Sequence, residues 1–250
     1  MSTPGSIYGV PLPGGTSVSH VQVYDTVGPD GLAGGSPHLH TVFTEAYLVI
    51  AGEGMVQTLS GEGYAETPLV HGTIAWFSPG TVHRLVNLDG RLELYVVMSN
   101  AGLPEAGDMV LAFPPPVLAD PDGYRAIADL PDGGRTTDDS PDAAVRRRDL
   151  AVEGFTYWRA AVEDEGAGAL DGLYAAAVDL LGQRPQAWGP LVDEDPSLDL
   201  ERSRSQIDSL RGSDRSAAQA RLHESAVRSR SLLPATRAMG CCGTLGTVIH

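Results

Sequence analysis

The sequence predicts a mainly β fold, a sandwich or barrel of short strands, followed by a mostly α-helical C-terminal region. Two observations predict it. From residue 17 to about 100, alternating or β-branched runs recur, each bounded by Gly, Pro, Asp or Ser, without the intervening helices that βαβ units need. After "FPPPVLADPDGY" (113–124) apolar residues switch to helical spacing.

Each element can be justified in order. "SVSHVQVYD" (17–25) alternates, and "EAYLVIA" (45–51) is β-branched and aromatic. "GMVQTL" (54–59), "GTIAWF" (72–77) and "LELYVVM" (92–98) repeat the pattern. "GPDGLAGG", "AGEG", "SGEGY", "SPGT" and "LDG" read as the turns between them. In the second half, "LPDGGRTTDDSPD" (130–142) reads as an acidic connector. "AAVRRRDLAVEGFTYWRAAVEDEG", "ALDGLYAAAVDLLGQ", "LDLERSRSQIDSLRG" and "SAAQARLHESAVRSRSLL" read as helices. The tail "GCCGTLGTVIH" (240–250) is suited either to docking as a strand or to staying loose. The expected division is a β-barrel domain over 1–115 and a helical region over 116–250 that packs on the barrel or forms an interface.

Bulk chemistry excludes several function classes. The 250 residues carry a net charge of −15, which disfavours nucleic acid and anionic membranes as partners. All 17 basic residues are arginine, so a lysine Schiff base and a lysine-bearing P-loop are both impossible. No run approaches the roughly 20 apolar residues of a membrane span, and the N-terminus lacks the features of a secretory signal, so a cytoplasmic location is expected. Cys241 and Cys242 are adjacent and without a second pair, which points to neither a disulfide framework nor a zinc site.

Chemistry concentrates in "SPHLHTVFTEAY" (36–47). On a strand, residues two apart share a face, about 6.6 Å apart along the chain, so His38 and His40 point the same way. Glu45 has the opposite parity. If "TVFT" (41–44) is a bend, a hairpin brings Glu45 opposite the histidines, with Tyr47 and Val49 on its face. In "GTIAWFSPGTVHRLVN" (72–87), Ser78-Pro79-Gly80-Thr81 has the type II turn signature and presents His83 from a neighbouring strand. Three imidazoles and one carboxylate suit a divalent first-row ion.

These two segments resemble the two motifs of the cupin superfamily. His38, His40, Glu45 and Gly52 have the spacing of the first motif, and Gly72, Gly80, His83 and Asn87 match the second. Ser78 stands at the second motif's proline position with Pro79 one later, and Leu32, beside Gly31, at the first motif's early glycine. The resemblance covers roughly residues 15 to 100. It implies a cupin-type double-stranded β-helix (jelly-roll) barrel whose metal ligands are His38, His40, Glu45 and His83. The implied cofactor is a divalent first-row transition metal, iron first, with manganese, zinc, nickel and cobalt as alternatives. The implied partners are a small-molecule substrate and a second copy of the chain in a homodimer.

The expected function is a metal-dependent enzyme acting on a small polar, chelating metabolite, by oxygenase-type chemistry. A sugar or hydroxy-carbonyl isomerase or epimerase is the runner-up, and a non-catalytic metabolite-binding module comes third. Tyr47, Gln57 and His20 are the candidate catalytic residues. Of Trp76 and Phe77, on opposite faces, one is expected to pack the barrel core. His71 and His223 read as loop and helix-surface residues, and His250 as the terminus. "FTYWR" (155–159) is expected to dock the helices on the barrel, and "RRR" (146–148) to be a solvated helix face.

Overall fold

A computed structural model describes residues 10–12, 14–99, 103, 106–131, 140–192, 198–211, 215–222, 227 and 236–247. Twelve strands form two antiparallel sheets that close on one another. The larger sheet contains β1 (Val10–Leu12), β2 (Thr16–Val23), β4 (Glu45–Ala51), β7 (Ile74–Phe77), β9 (Glu93–Ser99), β11 (Thr236–Met239) and β12 (Gly243–Thr247). Its order is β11-β12-β2-β9-β4-β7, with β1 also on β2. The smaller contains β3 (His38–His40), β5 (Glu53–Ser60), β6 (Gly63–Val70), β8 (Val82–Asn87) and β10 (Met109–Leu111), in the order β10-β3-β8-β5-β6.

Register explains which residues enter the barrel. Across the larger sheet Ser19 pairs Val96, Tyr47 pairs Val96 and Glu45 pairs Met98, so all of these share its inner face. Gly52 separates β4 from β5 with φ of 75°, and a Cβ there would come within 2.3 Å of the Arg91 backbone. Only glycine fits that turn.

The expected strands form, and the structure adds others. β6 crosses the segment "GEGYAETPLV", whose exposed polar residues and Pro68 conceal it from a periodicity reading. It is an edge strand, the place in a sheet where proline is tolerated. The tail takes the strand alternative: β12 pairs β2 with Leu245 opposite Val21. A Cβ on Gly243 would lie 1.9 Å from the Gln22 carbonyl oxygen, so this docking also requires glycine. Residues 236–247 therefore extend the barrel sheet and are not part of the helical layer.

That layer consists of α1 (Pro115–Leu118), α2 (Pro121–Ala128), α3 (Ser140–Glu165), α4 (Asp171–Leu181), α5 (Trp188–Val192), α6 (Leu198–Arg211) and α7 (Arg215–Leu222). Helix α3 buries Ala144, Arg148, Ala151, Phe155, Trp158 and Val162, a stripe at intervals of three and four. It lies on β6, where the Arg159 guanidinium sits 3.8 Å above the Tyr64 ring. Trp158 Nε1 donates to the Phe113 carbonyl at 3.0 Å, and Gly154 lets the helix approach the chain at 112–113. Phe155 and Trp158 thus dock the helices, as "FTYWR" suggests, while Tyr157 faces outward. The central strand β8 is buried along its whole length, while the edge strand β6 stays largely exposed. No helix among the described residues is long and apolar enough to cross a membrane.

Candidate metal centre

Local chemistry delivers each of the four ligands. His38 and His40 leave β3 on the inner face, and β8 pairs β3 with His83 directly opposite His38. Before β8, the Ser78–Thr81 turn closes with Thr81 N–H donating to Ser78 O at 3.3 Å, and Gly80 has the φ of 86° that a type II turn demands. Gly80 N–H also donates to His40 O at 2.8 Å, tying the turn to the first ligand strand.

Glu45 arrives by a different route from the one expected. The 41–44 bend does not make a hairpin: β3 and β4 belong to different sheets, and Glu45 faces the histidines across the barrel interior. The parity conflict seen in the sequence is resolved by this crossing from one sheet to the other.

The four side chains are buried, and one ligand atom from each lies within 4.8 Å of the rest. His40 Nε2 is 3.0 Å and His83 Nε2 3.2 Å from Glu45 Oε2, and the Nε2 atoms of His38 and His83 are 3.1 Å apart. Donor atoms about 2.1 Å from a shared ion, at right angles, lie about 3.0 Å from one another.

The donor chemistry tests whether a cation fits. His38 Nδ1 lies 2.8 Å from Ser36 O, and His83 Nδ1 3.0 Å from Thr81 O. A carbonyl oxygen only accepts, so in each neutral ring the proton sits on Nδ1 and Nε2 carries a lone pair. Two lone pairs therefore meet at 3.1 Å beside Glu45 Oε2, which has no hydrogen-bond partner. A cation at their centre would turn these facing lone pairs and the carboxylate oxygen into ligands, so the group fits. Burial, with the neighbouring His83 and His40, holds His38 well below the usual histidine range, in its neutral ligand form. Burial acts to raise the Glu45 carboxyl, but His83 and His40 outweigh it and keep the group ionised, well below the usual carboxylate range.

Aromatic rings enclose the cluster. Phe43 lies on His40 with centroids 4.1 Å apart, and Phe77 on His83 at 4.2 Å. Phe77 is the core-facing member of its pair; Trp76, 71% exposed, faces solvent. Tyr47 is fully buried behind His83, and its hydroxyl has no hydrogen-bond partner. Burial and the Glu45 carboxylate push its pKa well above the ordinary value, so the hydroxyl stays protonated.

The other two catalytic candidates lie away from the cluster. Gln57 pairs with Arg84 across β5 and β8, on the face opposite His83, and donates to Glu66 Oε1 at 3.0 Å. His20 pairs with Tyr95 on the outer face of β2, its ring nitrogens 3.0 Å from Glu93 Oε2 and 2.9 Å from an Arg237 Nη2. In both cases the strand register turns the side chain outward. His71 is exposed, as expected; His223 and His250 lie outside the described residues.

A cavity of about 480 Å³ opens onto the cluster, its wall drawn from both sheets, α2, α3 and the C-terminal turn. Val21, Val96, Met98 and Met109 give it an apolar surface. Cys241 and Cys242 are free thiols on the wall, and burial raises both thiol pKa values, so they remain protonated. The "RRR" expectation is overturned for two of three residues: Arg147 is 5% and Arg148 1% exposed. Consecutive helical residues lie about 100° apart, so three in a row span about 200° of the helix, and here two of the three fall on its docked side. Arg148 donates to the carbonyls of Thr26, Val27 and Gly34, while Arg147 lines the cavity. Asp108, fully buried beside the 41–44 bend, belongs to no recognisable sequence pattern.

No protein-family model matches the chain, and no curated protein does. Among solved structures the chain is similar over part of its length to an oxalate oxidase, at 25% identity and a TM-score of 0.27, covering 34% of this chain and 40% of that one. It is likewise similar to an uncharacterized protein with a double-stranded β-helix domain from Klebsiella pneumoniae, at 24% identity and a TM-score of 0.27, covering 40% and 80%. A Cupin 2 conserved barrel domain protein from Salinispora arenicola is similar at 21% identity and a TM-score of 0.28, covering 38% and 71%. The chain thus spans less than half the length of the oxalate oxidase it matches. Two antiparallel sheets face each other, and His38, His40, Glu45 and His83 converge between them, so the described β strands have the jelly-roll arrangement that the sequence motifs imply.

Proposed function

We propose that the chain is a metal-dependent enzyme of oxygenase type that acts on a small chelating metabolite. The observation supporting it is the convergence of His38, His40, Glu45 and His83 beside a cavity with a largely aliphatic and sulfur-bearing wall. A divalent first-row ion held there, iron foremost, supplies open coordination positions and one-electron chemistry toward dioxygen. The chain's own residues do the rest. Ser36 and Thr81 carbonyls hold the Nδ1 protons of His38 and His83 and so aim both rings. Phe43 and Phe77 exclude water from the back of the cluster, while Val21, Val96 and Met98 offer the substrate a dry wall.

The isomerase reading needs a side chain free to carry a proton. Among the described residues of the wall, the only carboxylate besides Glu45 is Asp129, at the exposed rim, and both cysteines are held as thiols. The lining therefore favours the oxygenase. A homodimer is part of the proposal, with the exposed Ile74 and Trp76 of edge strand β7 as its apolar surface and molar mass by light scattering as its test.

Protein purified without chelators or affinity nickel should hold near-stoichiometric iron by elemental mass spectrometry. It should also consume dioxygen when given catechol or enediol substrates. Turnover undiminished under strict anaerobiosis would replace the oxygenase with the isomerase. A site that also refuses added metal would leave a binding module.

A further inference from the structure

Three buried arginines occur among the described residues, and two have acidic partners. Arg84 pairs with Asp30, and Arg148 with Asp149. Arg147 has no carboxylate within ion-pair distance among the described residues. It donates from Nη1 to Ala128 O at 3.1 Å and from Nη2 to Gly240 O at 2.7 Å, while its buried Nε has no hydrogen-bond partner. A guanidinium so far out of water carries a large desolvation cost unless an anion meets it. The guanidinium keeps N–H donors that these two carbonyls do not use, and guanidinium geometry suits a carboxylate.

Its position says what that anion is. Arg147 and the ligands His38, His40 and Glu45 line the same cavity, Arg147 from helix α3 and the ligands from the barrel. Arg125 and Arg184, both exposed, line it too. A chain of net charge −15 thus gathers three arginines on one lining, of which Arg125 pairs with Asp122 at 2.6 Å, against Glu45 in the cluster and Asp129 at the rim. Three neutral imidazoles and a carboxylate would leave a divalent ion at a formal charge near +1, so the Arg147 guanidinium and such an ion would offer one anionic, chelating ligand two positive points on the same lining.

We infer that Arg147 is the anchor for a carboxylate on the substrate, which makes the site selective for small metabolites that chelate metal at one end and carry a carboxylate at the other. This inference rests on the metal-centre reading for the chelating end alone. Arg147 holds the ligand by charge and by its fork, and the helical layer thereby contributes to specificity as well as covering the sheet.

The test uses the full chain loaded with Co2+, whose visible spectrum reports ligand binding, together with calorimetry. The probes are catechol, its 3- and 4-carboxylates, and the methyl esters of those acids, which keep the shape and remove the charge. At least one acid should bind about tenfold or more tighter than catechol and than its own ester. Arg147→Gln should abolish that advantage while catechol affinity and cobalt stoichiometry stay as in the wild type. Equal affinities across acids, esters and catechol overturn the proposal, as does an advantage that survives Arg147→Gln. If Arg147→Gln does not fold, the acid-against-ester comparison is made in the wild type and in the Arg125→Gln, Arg184→Gln double variant: an acid advantage that survives in the double variant supports Arg147, and its absence from the wild type or its loss in the double variant overturns the proposal. If the protein takes up no cobalt, the metal-centre reading fails by itself. Benzoate titrated into the metal-free protein then decides the anchor: binding lost in Arg147→Gln supports it, and no binding, or binding unchanged in the variant, overturns it.

Discussion

The carboxylate of Asp108 accepts the backbone N–H of Thr41 at 2.7 Å and that of Val42 at 3.4 Å, and takes the Thr41 hydroxyl as well. One buried side chain thus fixes the bend joining the strand of His38 and His40 to the strand that Glu45 opens. Asp108→Ala leaves those donors unpaired, at about 2 kcal/mol of stability, and lets the two halves of the cluster drift. Cobalt titration should show affinity reduced about tenfold or more. Asp108→Asn, which keeps an acceptor oxygen, should fall between the two.

The ligand residues themselves should behave differently. His38→Ala, His83→Ala and Glu45→Gln should each lose most of the bound metal with the circular-dichroism spectrum retained, because the barrel core does not include the ion. In the wild type, metal at a hundred times its Kd should add about 2.7 kcal/mol to stability, and a chelator should remove it. A melting temperature of His83→Ala that rises with metal as the wild type's does would contradict the ligand assignment.

Trp76 and Phe77 provide a paired comparison within one strand. Trp76→Ser, on the outer face, should change the stability of the monomer by no more than about 0.5 kcal/mol, read at a protein concentration where light scattering shows monomer. Phe77→Ala removes a ring that packs on both His83 and Tyr47 and should cost about 3 kcal/mol. Denaturant unfolding separates the two.

Asp30 sets an acid limit. Burial acts to raise its carboxyl, but the hydrogen bond and charge of Arg84, with the Leu32 N–H, hold it below the ordinary value of 3.8. A depressed carboxylate contributes stability that is present above its unfolded pKa and lost as pH falls through the folded one. Asp30→Asn should therefore lower the melting temperature near neutrality. The difference from wild type should shrink as the pH drops below about 4, which thermal melts from pH 2.5 to 7 would read. A constant difference across that range would rule the pair out as the source.

The convergence of His38, His40, Glu45 and His83 was legible because it depends on short-range grammar: a strand of three residues, a bend, and a turn that needs Gly80. The positions of Gln57 and His20 were not, since a one-residue shift of register exchanges the inner and outer faces, and neither neighbourhood pins that register locally. Arg147 and the two cysteines escaped for another reason. Their roles depend on a helix and a terminal hairpin returning to the barrel, and nothing near them in sequence records what they will meet. Three arginines in a row, spanning more of α3 than its polar face alone, were the one available hint.

The returning hairpin also has a consequence in time. His38 and His83, within the barrel, are 45 residues apart in the chain, whereas Arg237 of β11 meets His20 across 217. Closing the longer loop costs more chain entropy, which predicts that the β11–β12 hairpin docks after the rest of the barrel has formed. The last unit to dock is also the cheapest to release, and amide exchange in β12 should outpace that in β8. Because Cys241 and Cys242 at its turn form part of the cavity wall, brief release of this hairpin opens a door to the centre while every ligand strand stays paired.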